Sequence, residues 1–226
     1  TQPSANSTSR VLLAGLIGNV MEWYDFALYG YFATTIGREF FPSSDPASSL
    51  IGAFGAFAAG FLVRPLGGMV FGRIGDLAGR QRALQLSVMV MAVPTVLLGL
   101  LPTHQQIGIA APIAVVLLRI VQGLSVGGEY TSSVIFLSEN APERQRGFYA
   151  IWGLWGSVLG MLIGSGFGDL LAHTLHPDQL GSWGWRLPFL LGALVAASGV
   201  VIRRGIGAEI IEPQAKSPIR ETFGRY

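Results

Sequence analysis

A few carboxylates and guanidinium groups interrupt stretches of sequence that are otherwise almost wholly apolar. Asn19, Glu22, Asp25 and Tyr29 recur at three- and four-residue steps in the first stretch, so one helical face carries all four. Arg64 lies in the second stretch, and Arg119, Gln122 and Glu129 share the fourth. At about 1.5 Å per residue, Glu22 sits roughly 16 Å from the inner end of its helix, near mid-bilayer. An ionisable group at such depth costs about 2.5–3.5 kcal/mol on insertion scales, so it is kept where it pairs or lines a water-filled path. Arginine is the residue that anchors a carboxylate through two parallel hydrogen bonds. Glu22 or Asp25, an acid in a desolvated place, can take up and release a proton. A water-filled transport path follows from these types at these positions. The competing reading is that Glu22, Asp25, Arg64 and Arg119 only pair with one another to hold a bundle together.

Other chemistry is poorly supported. Gly123-Leu124-Ser125-Val126-Gly127 fits the G-x-S-x-G nucleophile pattern, but that elbow requires a strand–turn–helix context and here the serine falls inside an apolar helix. Gly164-Ser165-Gly166-Phe167-Gly168 resembles a phosphate loop only superficially, because no strand precedes it. His173 and His176 offer two ligands three residues apart in a loop, too few for a metal site. No cysteine is present, which excludes disulfides and thiol chemistry. The expectation is a protein that is not an enzyme, with no metal and no cofactor beyond the proton gradient.

The elements that must position these residues are membrane helices. Of 226 residues, 50% are apolar, 12% are charged and 31 are glycine, and mean hydropathy is +0.50. A water-facing domain carries about 25% charged residues. Six runs are long enough to span a bilayer, roughly 11–36, 50–71, 83–101, 109–137, 148–172 and 185–202. Short polar breaks separate them, at 41–46, 72–82, 102–104, 141–147 and 173–184. A cytoplasmic tail (1–10), a six-helix bundle (11–202) and a cytoplasmic tail or linker (203–226) are the expected divisions. No cleavable signal peptide is visible, since the first apolar run is too long.

Basic residues set the orientation. With the N-terminus inside, Arg10, Arg73, Arg80, Arg82, Arg144, Arg146, Arg203, Arg204, Lys216, Arg220 and Arg225 collect at inner ends, against Arg38 and Arg186 outside. Both termini are then cytoplasmic. The arginines flank apolar runs rather than forming a basic stripe, so no nucleic-acid partner is expected. Gly156, Gly160 and Gly164, and Gly52, Gly55 and Gly60, are small residues at spacings that let helices approach closely. Buried charge concentrates on helices 1 and 4, the leading helices of two triplets, as a 3+3 repeat around a central cavity requires. No repeat is visible residue by residue.

Several motifs resemble the major facilitator superfamily. Gly72-Arg-Ile-Gly75-Asp76-Leu-Ala-Gly79-Arg80-Gln-Arg82 resembles its loop between helices 2 and 3, with Gly75 and Gly79 permitting a tight reversal. Glu139-Asn-Ala-Pro142-Glu-Arg-Gln-Arg146-Gly147 resembles the second half of the associated charge relay. The resemblance implies a cytoplasmic latch built on Gly72, Gly75, Asp76, Gly79, Arg80, Arg82, Glu139 and Arg146. Strings around Glu22 and Asp25, Gly60-Phe-Leu-Val-Arg64-Pro65-Leu-Gly67-Gly68, Arg119 to Glu129, and Trp185-Arg186-Leu-Pro188-Phe189 look like the metabolite:proton symporter branch, whose substrates include dicarboxylates, shikimate, proline and betaine. That likeness, from about Arg10 to Arg204, implies an all-α inner-membrane protein with half of a superfamily bundle. It implies substrate contacts from Asn19, Tyr29, Arg64, Arg119 and Gln122, and proton coupling through Glu22, Asp25 or Glu129. The superfamily has twelve helices and this chain six, so a fragment, a split subunit or an engineered half is expected, with a second six-helix half and the bilayer as partners. The alternative is a non-transporting membrane module or partner subunit.

Overall fold

The computed structural model describes residues 5–127, 129–139 and 141–204, and among them only helices and turns occur. Six antiparallel helical spans account for nearly all of it. Span 1 is α1 (Ala5–Tyr31) continued by α2 (Ala33–Phe40), and span 2 is α3 (Pro46–Leu62) followed by α4 (Arg64–Ala78). Span 3 is α5 (Arg80–Leu100). After the short α6 (His104–Ile107), span 4 is α7 (Ala110–Val126) and α8 (Glu129–Glu139). Span 5 is α9 (Arg146–Thr174); α10 (Pro177–Gln179) and a π turn over Leu180–Gly184 lead into span 6, α11 (Arg186–Arg204).

Each predicted run lies on one of these spans, but the breaks are shorter than the sequence suggests. α4 runs on to Ala78, so the 72–82 break contracts to Gly79, whose φ of 91° favours glycine. Gly75 does not turn the chain; it lies inside α4, and its carbonyl accepts the Gly79 N–H at 3.0 Å. Asp45 starts α3 as an N-cap, accepting from the backbone N–H groups of Ala47 and Ser48, with Pro46 in the first turn. The Ser48 hydroxyl, and then those two N–H groups, hold the Asp45 carboxyl below its ordinary range.

Among the described residues, two helical stretches qualify as spans by length and apolar composition alone, Pro46–Ala78 and Glu143–Thr174. The sequence reading expects six. Gln85–Leu100 and Ala110–Val126 are shorter apolar helices among the same residues.

Packing brings out a symmetry that charge placement only suggests. α1 lies on α9, while α3 and α4 lie on α7; exchanging the first three spans with the last three converts one contact into the other. The α5–α11 contact maps onto itself, and α1 on α11 corresponds to α7 on α5. Glycines set both close approaches. A Cβ at Gly156, Gly160 or Gly164 would meet the carbonyl oxygens of Leu16, Val20 and Tyr24, a four-residue step matched on both helices. On the other pair, a Cβ at Gly60 or Gly67 would meet the carbonyls of Arg119 and Leu124. Gly55 departs from the expected stripe, because a Cβ there would meet open space, and Gly52 accommodates the Phe41 ring. Large apolar side chains such as Ile51, Leu62, Leu77, Ile109 and Leu194 point outward. Such a belt suits hydrocarbon or a further helical layer, not water.

Candidate functional site: two ion pairs on one face of span 1

The fifth and sixth turns of α1 meet α5 and α7 around Asp25, which is 2% exposed. Its Oδ2 faces Arg119 Nη1 at 2.5 Å. Its Oδ1 accepts from Thr95 Oγ1 at 3.0 Å and from Gln122 Nε2 at 3.1 Å. Gln122 Nε2 also reaches Thr95 Oγ1 at 2.9 Å, closing a small ring of polar contacts. The three-residue step from Arg119 to Gln122 puts both on one side of α7, which is why both reach one carboxylate. Thr95 follows Pro94, whose missing N–H leaves a gap in the α5 ladder, and its hydroxyl also reaches the Met91 carbonyl at 3.0 Å. A hydroxyl has one proton, so Thr95 donates to Asp25 or to Met91, never to both.

Arg119 is as buried as its partner. Its guanidinium carbon lies 3.9 Å over the Tyr29 ring, and the Tyr29 hydroxyl donates to the Ala53 carbonyl at 2.7 Å. The absent side chain at Gly60 lets the Arg119 backbone sit close against α3. Arg119 Nε and Nη2, and Gln122 Oε1, are buried with no hydrogen-bond partner among the described residues. Native interiors seldom leave such groups unmet except at working sites.

One turn toward the start of α1, Glu22 Oε1 lies 3.5 Å from Arg64 Nη2. Arg64 is the more open partner, at 24% against 4% for the Glu22 side chain. Its guanidinium carbon rests 3.6 Å over Phe61 and 4.7 Å over Phe26. The two arginines thus lie on rings of one row, in which Tyr29 stacks on Phe57 at 5.5 Å and Phe57 packs on Phe61 at 5.1 Å.

The structure brings Glu22, Asp25, Tyr29, Arg64, Arg119 and Gln122 together. Asn19 shares their helical face but is engaged elsewhere, donating to Ser133 Oγ on α8 at 2.8 Å. The Glu129 and Arg80 side chains lie outside the described residues. Of the other latch residues, Gly72 is on α4 with open space beside it, and Asp76, Arg82, Glu139 and Arg146 are exposed at the α4–α5 and α8–α9 ends. Ser125, the serine of the nucleophile-like string, is buried in α7 and donates to the Ser87 carbonyl. Thr95 is the site residue that sequence reasoning missed. Its signal was present, since Ser87 and Thr95, eight residues apart, put hydroxyls on one face of an otherwise apolar helix.

Residues 11–203 match the family model described as sugar (and other) transporter. The glycine betaine/proline/ectoine/pipecolic acid transporter OusA of Dickeya dadantii (strain 3937) is 41% identical over 197 residues, 87% of this chain and 39% of the relative. The shikimate transporter of Escherichia coli (strain K12) is 40% identical over 204 residues, 90% of this chain and 47% of the relative. The alpha-ketoglutarate permease of the same strain is 42% identical over 187 residues, 83% and 43%. The chain therefore spans less than half the length of these relatives. Among solved structures, the inward open conformation of the xylose transporter XylE from E. coli superposes with a TM-score of 0.78 at 18% identity, over 96% of this chain and 52% of that one. XylE, a major facilitator superfamily proton:xylose symporter, bound to 6-bromo-6-deoxy-D-glucose gives 0.79 at 16% identity, over 89% and 45%. At that identity the likeness is one of fold. The chain belongs to the sugar (and other) transporter family and has the fold of a six-helix half of a major facilitator superfamily carrier.

Proposed function

We propose that this chain supplies one wall of a proton-coupled symporter for a small organic carboxylate or zwitterion, working by alternating access in the cell inner membrane with both termini in the cytoplasm. One observation carries the proposal: the buried Asp25–Arg119 pair, in which Arg119 keeps two N–H-bearing nitrogens unmet. Asp25 and a substrate carboxylate would compete for the same guanidinium. Protonation of Asp25 removes its charge and frees Arg119 to take the substrate. Substrate on Arg119 in turn favours the protonated acid, so each ligand promotes binding of the other. Gln122 and Thr95 keep the aspartate oriented, and Tyr29 holds the guanidinium from its other face. Glu22 is the second candidate proton carrier, and Glu129 belongs to the same proposed set. Asp76, Arg80, Arg82, Glu139 and Arg146 would form the cytoplasmic latch. A second six-helix half would complete the cavity.

Uptake by the full-length carrier in proteoliposomes tests the reading. An inward proton gradient should drive accumulation of a carboxylate or zwitterion and a protonophore should collapse it. Arg119→Lys keeps the charge but loses the planar fork, and should weaken substrate binding about tenfold to a hundredfold, or about 1.5–3 kcal/mol. Normal binding in that variant would count against Arg119 as the anchor.

A further inference from the structure

Arg64 is held without directed hydrogen bonds. Its Nε and Nη2 are buried with no hydrogen-bond partner among the described residues, and Glu22 Oε1 lies at 3.5 Å, within Coulomb reach but long for a charge-assisted bond. What surrounds the group instead is aromatic. Phe61 and Phe26 present their faces to it at 3.6 and 4.7 Å. Their ring centroids are 5.6 Å apart, and Trp23 and Phe57 close on Phe26 edge-on at 5.8 and 5.3 Å. Ring faces and one carboxylate favour any cation, but they leave a guanidinium's donors unsatisfied. A methylated or ring-substituted ammonium has few donors or none to satisfy, and it fits such a surface without that penalty.

We infer that Glu22, Phe26 and Phe61 form an organic-ammonium subsite, and that Arg64 is its tethered occupant, displaced when the ammonium group of a substrate enters. This deepens the function proposed above and rests on it for the other end of the substrate, the carboxylate on Arg119. The partial exposure of Arg64 gives its arm somewhere to go. The row Tyr29–Phe57–Phe61 joins the two ends, with a carboxylate-binding guanidinium over Tyr29 and an ammonium-binding face at Phe61. A dicarboxylate would set its second anion against Glu22, so the arrangement selects zwitterions over diacids. Arg64, on this reading, competes with substrate and does not anchor it.

Two probes separate the ends in the full-length carrier in nanodiscs: tetramethylammonium, which has no carboxylate, and 3,3-dimethylbutanoate, which has a carboxylate and an uncharged head. Arg64→Gln should bind tetramethylammonium about tenfold more tightly, and adding Phe61→Leu should remove the gain. In the unmutated protein, tetramethylammonium should raise the phenylglyoxal labelling of Arg64 severalfold in peptide maps, with sodium as the control ion. That arm does not depend on any variant folding. Unchanged or weaker tetramethylammonium binding in an Arg64→Gln protein of normal melting temperature would overturn the subsite, as would labelling of Arg64 that tetramethylammonium leaves flat. Arg119→Lys should weaken 3,3-dimethylbutanoate and spare tetramethylammonium. Failure of that arm alone would sink the carboxylate reading and not the ammonium face.

Discussion

Asp25 is the point at which three spans meet through side chains alone, and Thr95 is the least conspicuous of its contacts. The hydroxyl lies within reach of both Asp25 and the Met91 carbonyl, each at 3.0 Å, and so can turn from one to the other. Thr95→Val preserves shape and removes the donor. Losing one donor to Asp25 should lower accumulation driven by a pH gradient severalfold. Thr95→Ser should restore it, because a purely structural methyl contact would not be rescued by serine. Unaltered accumulation in Thr95→Val would assign the network to packing. At this scale, charge was what could be read in advance. Glu22, Asp25, Arg64 and Arg119 stand out in apolar runs because their burial is costly. A lone threonine costs little in a membrane helix, since its hydroxyl satisfies itself on the preceding turn, and so only the faint pairing with Ser87 set Thr95 apart from its neighbours. Asn19 shows the converse limit: three-residue spacing placed it on the stripe, but only the packing of α8 decides what it bonds.

Between helices, glycine decides how near α7 comes to α3 and α4. A Cβ at Gly123 would meet the Gly60 carbonyl, and one at Gly127 would meet the Arg64 carbonyl, so both charged pairs depend on close backbone approach. Gly123→Val should force α7 off α3, pull Arg119 from Asp25 and destabilise the bundle by about 1–3 kcal/mol or more. Gly55→Ala, facing open space, should be silent or slightly stabilising through helix propensity. Melting temperatures of the two variants in one detergent check the contrast; equal stability would mean that the helices do not meet there. The sequence showed that the glycines recur at packing intervals, but not which face of span 2 they occupy. Facing is set by the partner helix, so Gly55 and Gly60 read alike until α7 is in place. The turn at Gly79 was likewise legible as a break, but not as a single residue.

For the molecule as a whole, the placement of basic residues predicts the orientation. With eleven basic residues at the inner ends and two at the outer, cysteines placed at Ser44 and Asp178 should react with an impermeant reagent added outside intact cells, whereas one at Gln81 should not. Similar labelling of all three positions would reverse the assignment. Six spans and their order could be read from hydropathy and breaks, because each run is long. The exchange symmetry of the two triplets could not, since it resides in which backbones touch. It emerges as the matched pairs α1–α9 and α7–α3/α4.

The coupling of proton to carboxylate through one guanidinium is tested most directly by Asp25→Asn in the full-length carrier. Asparagine keeps an acceptor for Thr95 and Gln122 but takes no proton and no longer competes as a charge for Arg119. Accumulation of substrate driven by a pH gradient should therefore be lost, while downhill exchange of labelled for unlabelled substrate continues, with binding at least as tight as before. Concentrative, protonophore-sensitive uptake that survives in Asp25→Asn would contradict it.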